Sequence, residues 1–354
     1  MEKNKISIIL PVYNAGLYLG KCLSSLVNQT YHNIEILCFN DGSKDNSLQI
    51  LREFSKRDDR IVVYDEPNQG IASIRNKGMA RARGEYLMFS DADDWWELNA
   101  CEKALNTILQ YNADVVLFSY YREYKNKTLT RDNIFSSDFV LFEGDNCTNL
   151  WRSFAGLIGS ELKYPENFDS NNALWSKLYK TEIFKSNQEV RYVDNKTIGA
   201  GGDGLLNFMY FKHVKKAVFI SDHLYHYRKT NEESIVTKYK PDFVKKRFHL
   251  FELYQEYIDK NNLCEDFSMG LSNRIAVSII GLGLHEMSST NSFKTKFRNI
   301  KEILNNKRFS SATQRLDITH MPKHWYLFFL LSKYKCTLGI CLMLDAILFL
   351  KSKK

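Results

Sequence analysis

Residues 85–97 read EYLMFSDADDWWE, and this stretch indicates the class of the fold. Its first five residues are apolar enough for a buried β-strand. Four acidic side chains follow at once: Asp91, Asp93, Asp94 and Glu97. In open α/β sheets, ligands bind beyond the carboxyl ends of the strands. A buried strand that runs directly into carboxylates therefore predicts an α/β sheet with a polar site at that edge.

The four carboxylates repel each other unless a cation neutralises them, and oxygen ligands favour Mg²⁺ or Mn²⁺. Such a cation can in turn neutralise a diphosphate. An acidic turn at the start of a helix is the alternative, because acidic residues are favourable there, and Asp94 is then the N-cap of the next helix. The cluster alone leaves both interpretations open.

Alternating strands and helices precede this stretch. The predicted strands cover residues 6–11, 34–39 and 60–64, and the predicted helices cover residues 17–28, about 45–56 and 71–82. We expect Gly84 to be the C-cap of the third helix. The β-α-β-α-β-α-β alternation predicts a Rossmann-like, doubly wound and mostly parallel sheet.

Polar side chains occur where the predicted strands end, at Tyr13, Asn14, Asp41 and the pair Asp91/Asp93. Because the carboxyl ends of parallel strands meet at one edge of a sheet, these residues are expected to converge on one rim. For Asp41, an Asx-turn that closes the strand end is an alternative.

The pattern changes in the rest of the chain. A helix over 97–111, strands over 114–120, 218–220 and 224–227, and a helix over 205–209 are predicted, whereas residues 122–172 show weak periodicity. From about residue 242 the chain is predicted to be mainly helical. We therefore expect a catalytic domain over residues 1–235, with a nucleotide-binding half (1–121) and an acceptor-side half (122–235). A helical C-terminal region over 236–354 would follow it.

The composition is that of a globular protein: 44% of the residues are hydrophobic and 14% are aromatic, which argues against disorder. The formal net charge of +8 suits several anionic partners and does not choose among them. The seven cysteines are scattered without a CxxC pair or zinc spacing, which is typical of free thiols in a reducing compartment. The chain begins without a secretory signal, so a cytoplasmic location is expected.

Two segments carry a specific resemblance: SIILPVYNAGLYLGKCLSSLVNQTYHNIEILCFNDGSKDNS, and NQGIASIRNKGMARARGEYLMFSDADD. Together they resemble the N-terminal half of inverting family 2 glycosyltransferases with the GT-A fold, of the bacterial surface-polysaccharide type. The similarity is weaker through WSKLYKTEIF, GGDGLLNFMYF and HLYHYR, and gives little beyond about residue 240.

The resemblance implies a role for several residues at the rim. Residues implied to contact the nucleotide or its diphosphate are Pro11, Val12, Tyr13, Asn14, Asp41, Arg75, Asn76, Asp91 and Ala92. Within this set Asp41 would accept a hydrogen bond from the base. Asp91-Ala92-Asp93 resembles the family's DxD motif, in which the first Asp contacts ribose and the second binds the metal. Asp93, with Asp91, is therefore the implied ligand of Mn²⁺ or Mg²⁺.

The resemblance also implies a catalytic base. Asp203 matches the family's general base, which usually follows a glutamate, but Gly202 stands at the glutamate position here. One carboxylate is enough for a single inverting displacement, and a general base typically contributes about 10²–10⁴-fold. The motif and the spanning helices of processive synthases are absent from the sequence, so transfer of one sugar is expected.

Other residues near these motifs have two interpretations each. Trp175 and Lys177 either contact a sugar or have no such role, in which case Trp175 lies in the core and Lys177 at the surface. His226 and Arg228 reach the diphosphate or are structural. Of Trp95 and Trp96, one is expected to stack on a sugar and the other to pack.

The last apolar segments, residues 325–331 and 336–350, are bordered by lysines. The second is short of the roughly 20 residues that span a bilayer. The segments either close the core as a helical pair or bind a membrane surface.

The sequence thus predicts a metal-dependent enzyme that moves one sugar from a nucleotide donor, with UDP favoured. The acceptor would be a saccharide or a polyprenyl-diphosphate-linked saccharide at the inner face of the plasma membrane, in surface-polysaccharide synthesis, and no nucleic acid would bind. Two alternatives remain. One is a sugar-nucleotide-binding scaffold with an impaired site, and the other, less favoured, is a sugar-1-phosphate nucleotidylyltransferase.

Overall fold

The computed structural model describes the chain except for residues 132–134, 136, 231–238 and 353–354. The chain forms two compact units. The first comprises Met1–Trp151, Asn171–Asn195 and Gly202–Glu233, and the second comprises Arg152–Ser170, Lys196–Gly201 and Ser234–Lys354. The predicted domain boundary at residues 235/236 lies outside the described residues, so the functional division of the chain stays a prediction.

Among the described residues, ten strands form one mixed sheet in the first unit. They are β1 (Glu2–Val12), β2 (Ile34–Asp41), β3 (Ile61–Glu66), β4 (Gly84–Phe89), β5 (Trp95–Trp96), β6 (Val115–Glu123), β7 (Thr128–Thr130), β8 (Phe139–Glu143), β9 (Lys177–Lys180) and β10 (Lys216–Arg228). The order is β3-β2-β1-β4-β9-β6-β10-β5, with β7 beside β6 and β8 beside β10.

The α-helices of the described residues are α1 (Gly16–Val27), α2 (Ser47–Ser55), α3 (Ile71–Arg81), α4 (Ala100–Tyr111), α5 (Asp145–Ser153), α6 (Thr181–Ser186), α7 (Asn195–Ile198), α8 (Gly202–Phe211), α9 (Phe243–Lys260), α10 (Glu265–Val277), α11 (Ile279–Met287), α12 (Phe293–Asn305), α13 (Lys307–Arg315), α14 (Lys323–Lys333) and α15 (Thr337–Ser352). Two 3₁₀ turns, Gly159–Lys163 and Pro165–Asp169, belong to the second unit.

The first four strands confirm the predicted parallel sheet. β1 lies between β2 and β4, and both pairings are parallel. Val12 is level with Asn40, and Ile9 is level with Phe89, so the carboxyl ends of three strands meet at one edge. This half is buried on both faces, which explains its nearly continuous apolar sequence. The turns after β1, β2 and β4 therefore share one rim.

The other half of the sheet is mixed. β9 is antiparallel to both β4 and β6, whereas β6 and β10 are parallel. β5 and β8 are antiparallel to β10. The predicted strands at 218–220 and 224–227 are one strand, β10, whose register against β6 shifts between Ile220 and Tyr225. These irregularities interrupt the apolar pattern and make one strand resemble two.

Two expectations around the acidic stretch are wrong. Gly84 does not cap α3; it is the first residue of β4, and Ala82 follows α3 as its C-cap. A side chain at Gly84 would place its Cβ 2.5 Å from the Lys5 carbonyl oxygen, so close contact with β1 requires the glycine. The next helix begins at Ala100 rather than residue 97, because Trp95–Trp96 form β5 against β10.

The second unit is mainly helical, as predicted. One segment of the described residues, Glu265–Met287, is long and apolar enough to cross a bilayer. It corresponds to α10 and α11, and 56% of its apolar window is buried inside the protein. A buried core helix passes the same test of length and composition, so this segment is explained by packing within the unit.

The last two helices of this unit have one buried side and one exposed side. Side chains on the buried side are Phe328 and Phe329 of α14 and Ile340, Cys341 and Leu344 of α15. Large apolar side chains on the exposed side are Tyr326, Leu327, Leu338, Leu342, Phe349 and Leu350. The pair therefore closes part of the core, as one interpretation predicted, and also presents apolar side chains to solvent.

Candidate active site

The acidic turn after β4 separates its four carboxylates into different environments. Asp94 is buried, its Oδ2 accepts from the Tyr225 hydroxyl at 2.8 Å, and its Oδ1 accepts from the Arg228 backbone N–H at 2.7 Å. Burial raises the pKa of Asp94 well above its ordinary value. The alternative that Asp94 caps a helix is wrong, because the N-cap position of α4 is Asn99. Asp94 instead ties the turn to β10.

Glu97 is also engaged outside a metal site. Its Oε1 lies 2.9 Å from Nε2 of His226, whose Nδ1 lies 2.7 Å from Glu123. The His226 ring stacks on Trp95 with centroids 4.8 Å apart. These contacts give His226 a structural role, and its predicted contact with a diphosphate stays a prediction. Asp91 and Asp93 stay the predicted metal ligands.

Asp91 pairs with a buried cation. Its Oδ1 accepts from NH2 of Arg75 at 3.1 Å, and its backbone N–H donates to Tyr225 at 3.1 Å. Burial raises the pKa of Asp91 to about 6, although the adjacent guanidinium opposes this shift, and Asp93 adds to it. Asp93 is partly exposed, and its carbonyl oxygen accepts from Nε of Arg228 at 2.7 Å. The turn thus places two close carboxylates at the rim.

Arg75 also binds Asp203, which lies 128 positions later in the chain. NH1 of Arg75 donates to Oδ1 of Asp203 at 2.6 Å, and the Arg75 side chain is only 5% exposed. Its carboxylate partners outweigh the effect of burial and raise the pKa of Arg75 above its ordinary value. The guanidinium therefore joins the predicted DxD motif to the predicted base through one fully charged group.

Asp203 lies in the first turn of α8, and its side chain is 28% exposed. Oδ1 accepts two hydrogen bonds, from Arg75 and from the Tyr192 hydroxyl at 2.7 Å. Among the described residues, no N–H or O–H group donates a hydrogen bond to Oδ2. This arrangement fixes the carboxylate through one oxygen and leaves the other as the atom that can accept a proton.

A buried polar network supports the first turn of α8. Nδ2 of Asn207 donates to the carbonyl oxygens of Asp203 at 3.0 Å and Asn172 at 2.8 Å, and its Oδ1 accepts from Tyr179. The roles of Asn207, Tyr179 and Tyr192 were not predicted from the sequence. The i+4 spacing of Asn207 from Asp203 places both on one helix face, which was an available signal. Nothing in the sequence around Tyr192 indicates its contact.

Lys177 is completely buried, so its predicted surface position is wrong. Its Nζ donates to the carbonyl oxygens of Asn171 at 2.7 Å and Ala173 at 2.5 Å. Burial lowers the pKa of Lys177 to about 7, against a smaller opposite effect of Asp203. Lys177 therefore holds the 171–173 segment, which in turn contacts Asn207.

The implied nucleotide residues lie along the shared rim. Tyr13 is exposed, and Asn14, in the left-handed region at φ 49°, accepts from the Lys44 N–H at 2.8 Å. Pro11 and Val12 end β1, and Ala92 lies buried in the acidic turn. Their contact with a nucleotide stays a prediction.

Asp41 ends β2, and its two carboxylate oxygens accept from the backbone N–H groups of Gln69 at 2.6 Å and Gly70 at 2.9 Å. The Asx-turn alternative for Asp41 is wrong, because Asn40 accepts the local bond from the Ser43 N–H. Asp41 fixes the entry to α3, the helix that carries Arg75. Its predicted bond to a base would use remaining acceptor capacity of the carboxylate.

Asn76 is turned toward Tyr192. Its amide accepts from the Tyr192 N–H at 2.8 Å and donates to the Tyr192 carbonyl at 2.9 Å.

Of the tryptophans, Trp175 is buried and stacks on Tyr225 at 4.4 Å between centroids. Trp96 is buried and donates to Ser90, whereas Trp95 stays partly exposed.

The carboxylate oxygens of the rim suit a divalent cation only when a bound ligand supplies further oxygen atoms. Within the described residues, no group of three or more His, Cys, Asp or Glu side chains is placed to hold a metal. Mg²⁺ commonly binds through one or two carboxylates together with substrate phosphates. Asp93 and Asp91 supply such oxygens, so they can hold a cation when a diphosphate completes the coordination.

Comparison with known sequences agrees with this geometry. A model of the family described as "Glycosyl transferase family 2" matches residues 7–172. The glycosyltransferase GlyG of Streptococcus pneumoniae is 30% identical over 66% of this chain and 74% of its own length. The putative glycosyltransferase EpsH of Bacillus subtilis is 28% identical over 95% of this chain and 93% of its own length.

The fold also agrees with a solved structure. The crystal structure of residues 1–349 of TarS from S. aureus, in complex with UDP-GlcNAc, superposes with a TM-score of 0.68. It covers 97% of this chain and 91% of that chain at 16% identity. The predicted family and fold are confirmed: the chain belongs to glycosyltransferase family 2 and has the GT-A fold.

Proposed function

We propose that this glycosyltransferase moves one sugar from a UDP-sugar to a saccharide acceptor by a single inverting displacement. The observation that carries the proposal is the shared guanidinium of Arg75, which holds Asp203 at 2.6 Å and Asp91 at 3.1 Å. A base beside the donor-binding motif suits direct attack by an acceptor hydroxyl. Inversion needs one such carboxylate, whereas double displacement needs a second as nucleophile.

In the proposed reaction, the acceptor oxygen attacks the anomeric carbon as the bond from that carbon to the phosphate oxygen breaks. Oδ2 of Asp203 takes the hydroxyl proton, and the nucleoside diphosphate leaves with the bonding electron pair. Arg75 orients the Asp203 carboxylate, because its NH1 fixes Oδ1 at 2.6 Å. The positions of Asp91 and Arg75 suit binding of the ribose and diphosphate end of the donor.

A divalent cation is part of the proposal. Asp93, assisted by Asp91, would hold Mn²⁺ or Mg²⁺ once the donor diphosphate is bound. The cation supplies Lewis-acid stabilisation of the charge that develops on the leaving diphosphate.

UDP is the proposed nucleotide, with support from the fold that this chain shares with TarS, whose structure contains UDP-GlcNAc. The relatives EpsH and GlyG are bacterial glycosyltransferases, which supports a bacterial setting. The proposed role is therefore one sugar transfer in bacterial cell-surface polysaccharide synthesis, in the cytoplasm. The acceptor would be a saccharide, free or linked to polyprenyl diphosphate.

A lipid-linked acceptor places the enzyme at a membrane, and the exposed side of α15 suits a lipid surface. Leu338, Leu342 and Phe349 are more than half exposed, and their 4- and 7-residue spacing puts them on one helix face. The 16 residues of α15 extend about 24 Å, less than the roughly 30 Å of a bilayer core. We therefore propose peripheral rather than spanning association.

The charges near this face suit an anionic bilayer. Lys323, the first residue of α14, and Lys335, two residues before α15, are exposed, and each lysine near such a surface contributes about 1 kcal/mol. Asp345 is also exposed, and because it is three residues after Leu342 and four before Phe349, it lies on the same helix face. A carboxylate there limits the depth of insertion to the level of the headgroups.

A donor screen tests the proposed function. UDP-, GDP- and dTDP-sugars are incubated with the full chain, with Mn²⁺, Mg²⁺ or EDTA, and release of nucleoside diphosphate is measured with and without saccharide acceptors. We expect metal-dependent release from a UDP-sugar, faster with an acceptor. Product NMR then reports the anomeric configuration. A product with retained configuration would contradict the single displacement.

The alternative of a non-catalytic sugar-nucleotide-binding protein is favoured by one observation, the glycine at position 202. The same screen decides between the two, because a scaffold would bind UDP without releasing it from any donor. A nucleotidylyltransferase gains no support, since the family match is to glycosyltransferases.

A further inference from the structure

Tyr192 is a buried tyrosine whose hydroxyl donates to the predicted base. The distance from its Oη to Oδ1 of Asp203 is 2.7 Å, and the side chain is almost completely buried. Burial, followed by the negative charge of Asp203, raises the pKa of Tyr192. The hydroxyl therefore keeps its proton and acts toward the carboxylate as a hydrogen-bond donor.

Two neighbouring residues of α3 fix Tyr192. The Asn76 amide brackets the Tyr192 backbone through two hydrogen bonds, of 2.8 and 2.9 Å. The guanidinium carbon of Arg75 lies 4.8 Å from the centre of the Tyr192 ring, a distance typical of cation–π contacts. Tyr192 is therefore held at the backbone and at the ring, and Arg75 donates to the same oxygen of Asp203.

The glycine before the base is explained by this tyrosine. A Cβ on Gly202 would lie 2.6 Å from Cζ and 2.7 Å from both Cε1 and Oη of Tyr192. Gly202 is the first residue of α8 and does not have a positive φ, so space rather than backbone conformation requires the glycine. An acidic side chain at 202, which the family pattern usually has, does not fit while Tyr192 occupies this place.

We infer that Tyr192 is the positioning residue of the base and replaces the acidic partner that is missing at position 202. It saturates Oδ1 of Asp203 together with Arg75, so that Oδ2 faces the acceptor hydroxyl. Tyr192 itself loses no proton and touches no reacting atom. This inference rests on the proposed function, because it takes Asp203 as the base.

Tyr192→Phe tests the role of the hydroxyl, since phenylalanine keeps the ring. The assay is nucleoside diphosphate release from the fastest donor of the screen above. We expect kcat to fall about tenfold, with the Kd for UDP unchanged within about twofold, because the lost hydrogen bond acts on the base and not on the nucleotide. If Tyr192 had a purely structural role, the substitution would lower kcat and UDP affinity together.

Gly202→Ala tests the spatial relationship. The added methyl group must displace the Tyr192 hydroxyl, so kcat should fall to a similar level. The double variant Tyr192→Phe with Gly202→Ala should be no slower than the slower single variant, because both changes remove the same bond. Additive losses would show that the two residues act separately and would overturn the inference.

Tyr210→Phe is the matched control. Tyr210 is also fully buried in the first unit, and its hydroxyl proton is shared by the carbonyl oxygens of Asp114 and Lys180, both 3.1 Å away, rather than donated to Asp203. It should lose stability but keep kcat. An unchanged kcat in Tyr192→Phe, or an equal loss in Tyr210→Phe, contradicts the inference.

A failure of the proposed function would give different kinetic results from a failure of the role of Tyr192. If Asp203→Asn retains kcat, or no donor is turned over, the assignment of the base or of the activity is wrong. If Asp203→Asn abolishes turnover while Tyr192→Phe is fully active, only the role of Tyr192 is wrong.

Discussion

NH1 of Arg75 donates to Oδ1 of Asp203 at 2.6 Å, a contact between α3 and the first turn of α8. The same guanidinium reaches Asp91 at the start of the acidic turn. Together these two contacts bring three sequence motifs to one point of the rim. It also orients Asp203, since a carboxylate anchored through one oxygen presents the other in a defined direction.

Asp203→Asn should lower kcat by about 10²–10⁴-fold while the affinity for the donor changes little, because a general base acts in the transition state. Asparagine keeps an acceptor for Arg75 and Tyr192, so the fold should survive. The measurement is steady-state kinetics together with UDP binding by calorimetry. A variant with normal kcat and weakened donor binding would make Asp203 a binding residue.

Asp93→Ala should abolish Mn²⁺-dependent turnover and remove the gain in UDP affinity that Mn²⁺ produces in the wild type. The reason is the loss of the partly exposed carboxylate that completes the metal site with the diphosphate. UDP binding is titrated with Mn²⁺ and with EDTA. Asp222→Ala, at an exposed aspartate that pairs with Lys103, is the control and should behave as wild type. Full wild-type activity in EDTA would refute the metal requirement.

Lys177 predicts that stability depends on pH. Its pKa is about 7 in the folded protein, against the ordinary value of 10.5 for an unfolded chain. Between these values the unfolded chain binds more protons, so the free energy of unfolding rises with pH. From pH 7 to pH 9 the rise attributable to Lys177 is about 2 kcal/mol.

Urea denaturation at both pH values measures this rise in the wild type and in Lys177→Met, which should lack it. The control Lys180→Met changes a less buried lysine of the same strand and should keep it. An equal rise in the wild type and Lys177→Met would show that other groups cause it.

The exposed face of α15 predicts salt-sensitive binding to anionic vesicles. The triple change Leu338→Ser, Leu342→Ser and Phe349→Ser should reduce co-sedimentation with phosphatidylglycerol vesicles several-fold without loss of folding, since these side chains are exposed. Phe293→Ser, at an exposed apolar residue of α12, is the control.

Deletion of residues beyond 322 is a poorer test, because it removes the buried side chains of both helices. If the triple variant and the wild type sediment equally, the exposed face does not bind lipid, and core closure is the remaining role of the two helices.

The sequence by itself determined the alternation of strands and helices in the parallel half of the sheet, the shared rim and the family. These features depend on local patterns: buried apolar runs that end in polar turns, and motifs whose residues lie close together in the chain. The predicted helix cap at Gly84 was wrong, because the contact that demands a glycine there comes from β1, about 80 residues away.

Only the tertiary structure decided which carboxylates of the acidic turn bind β10. Asp94 and Glu97 are close in sequence to Asp91 and Asp93. Their hydrogen-bond partners nevertheless come from β10: Tyr225 binds Asp94, and His226 binds Glu97. Likewise, the pairing of Tyr192 with Gly202 depends on packing between a loop and a helix. Such contacts join residues that are distant in the chain, and their energies depend on burial and distance, which no local pattern contains.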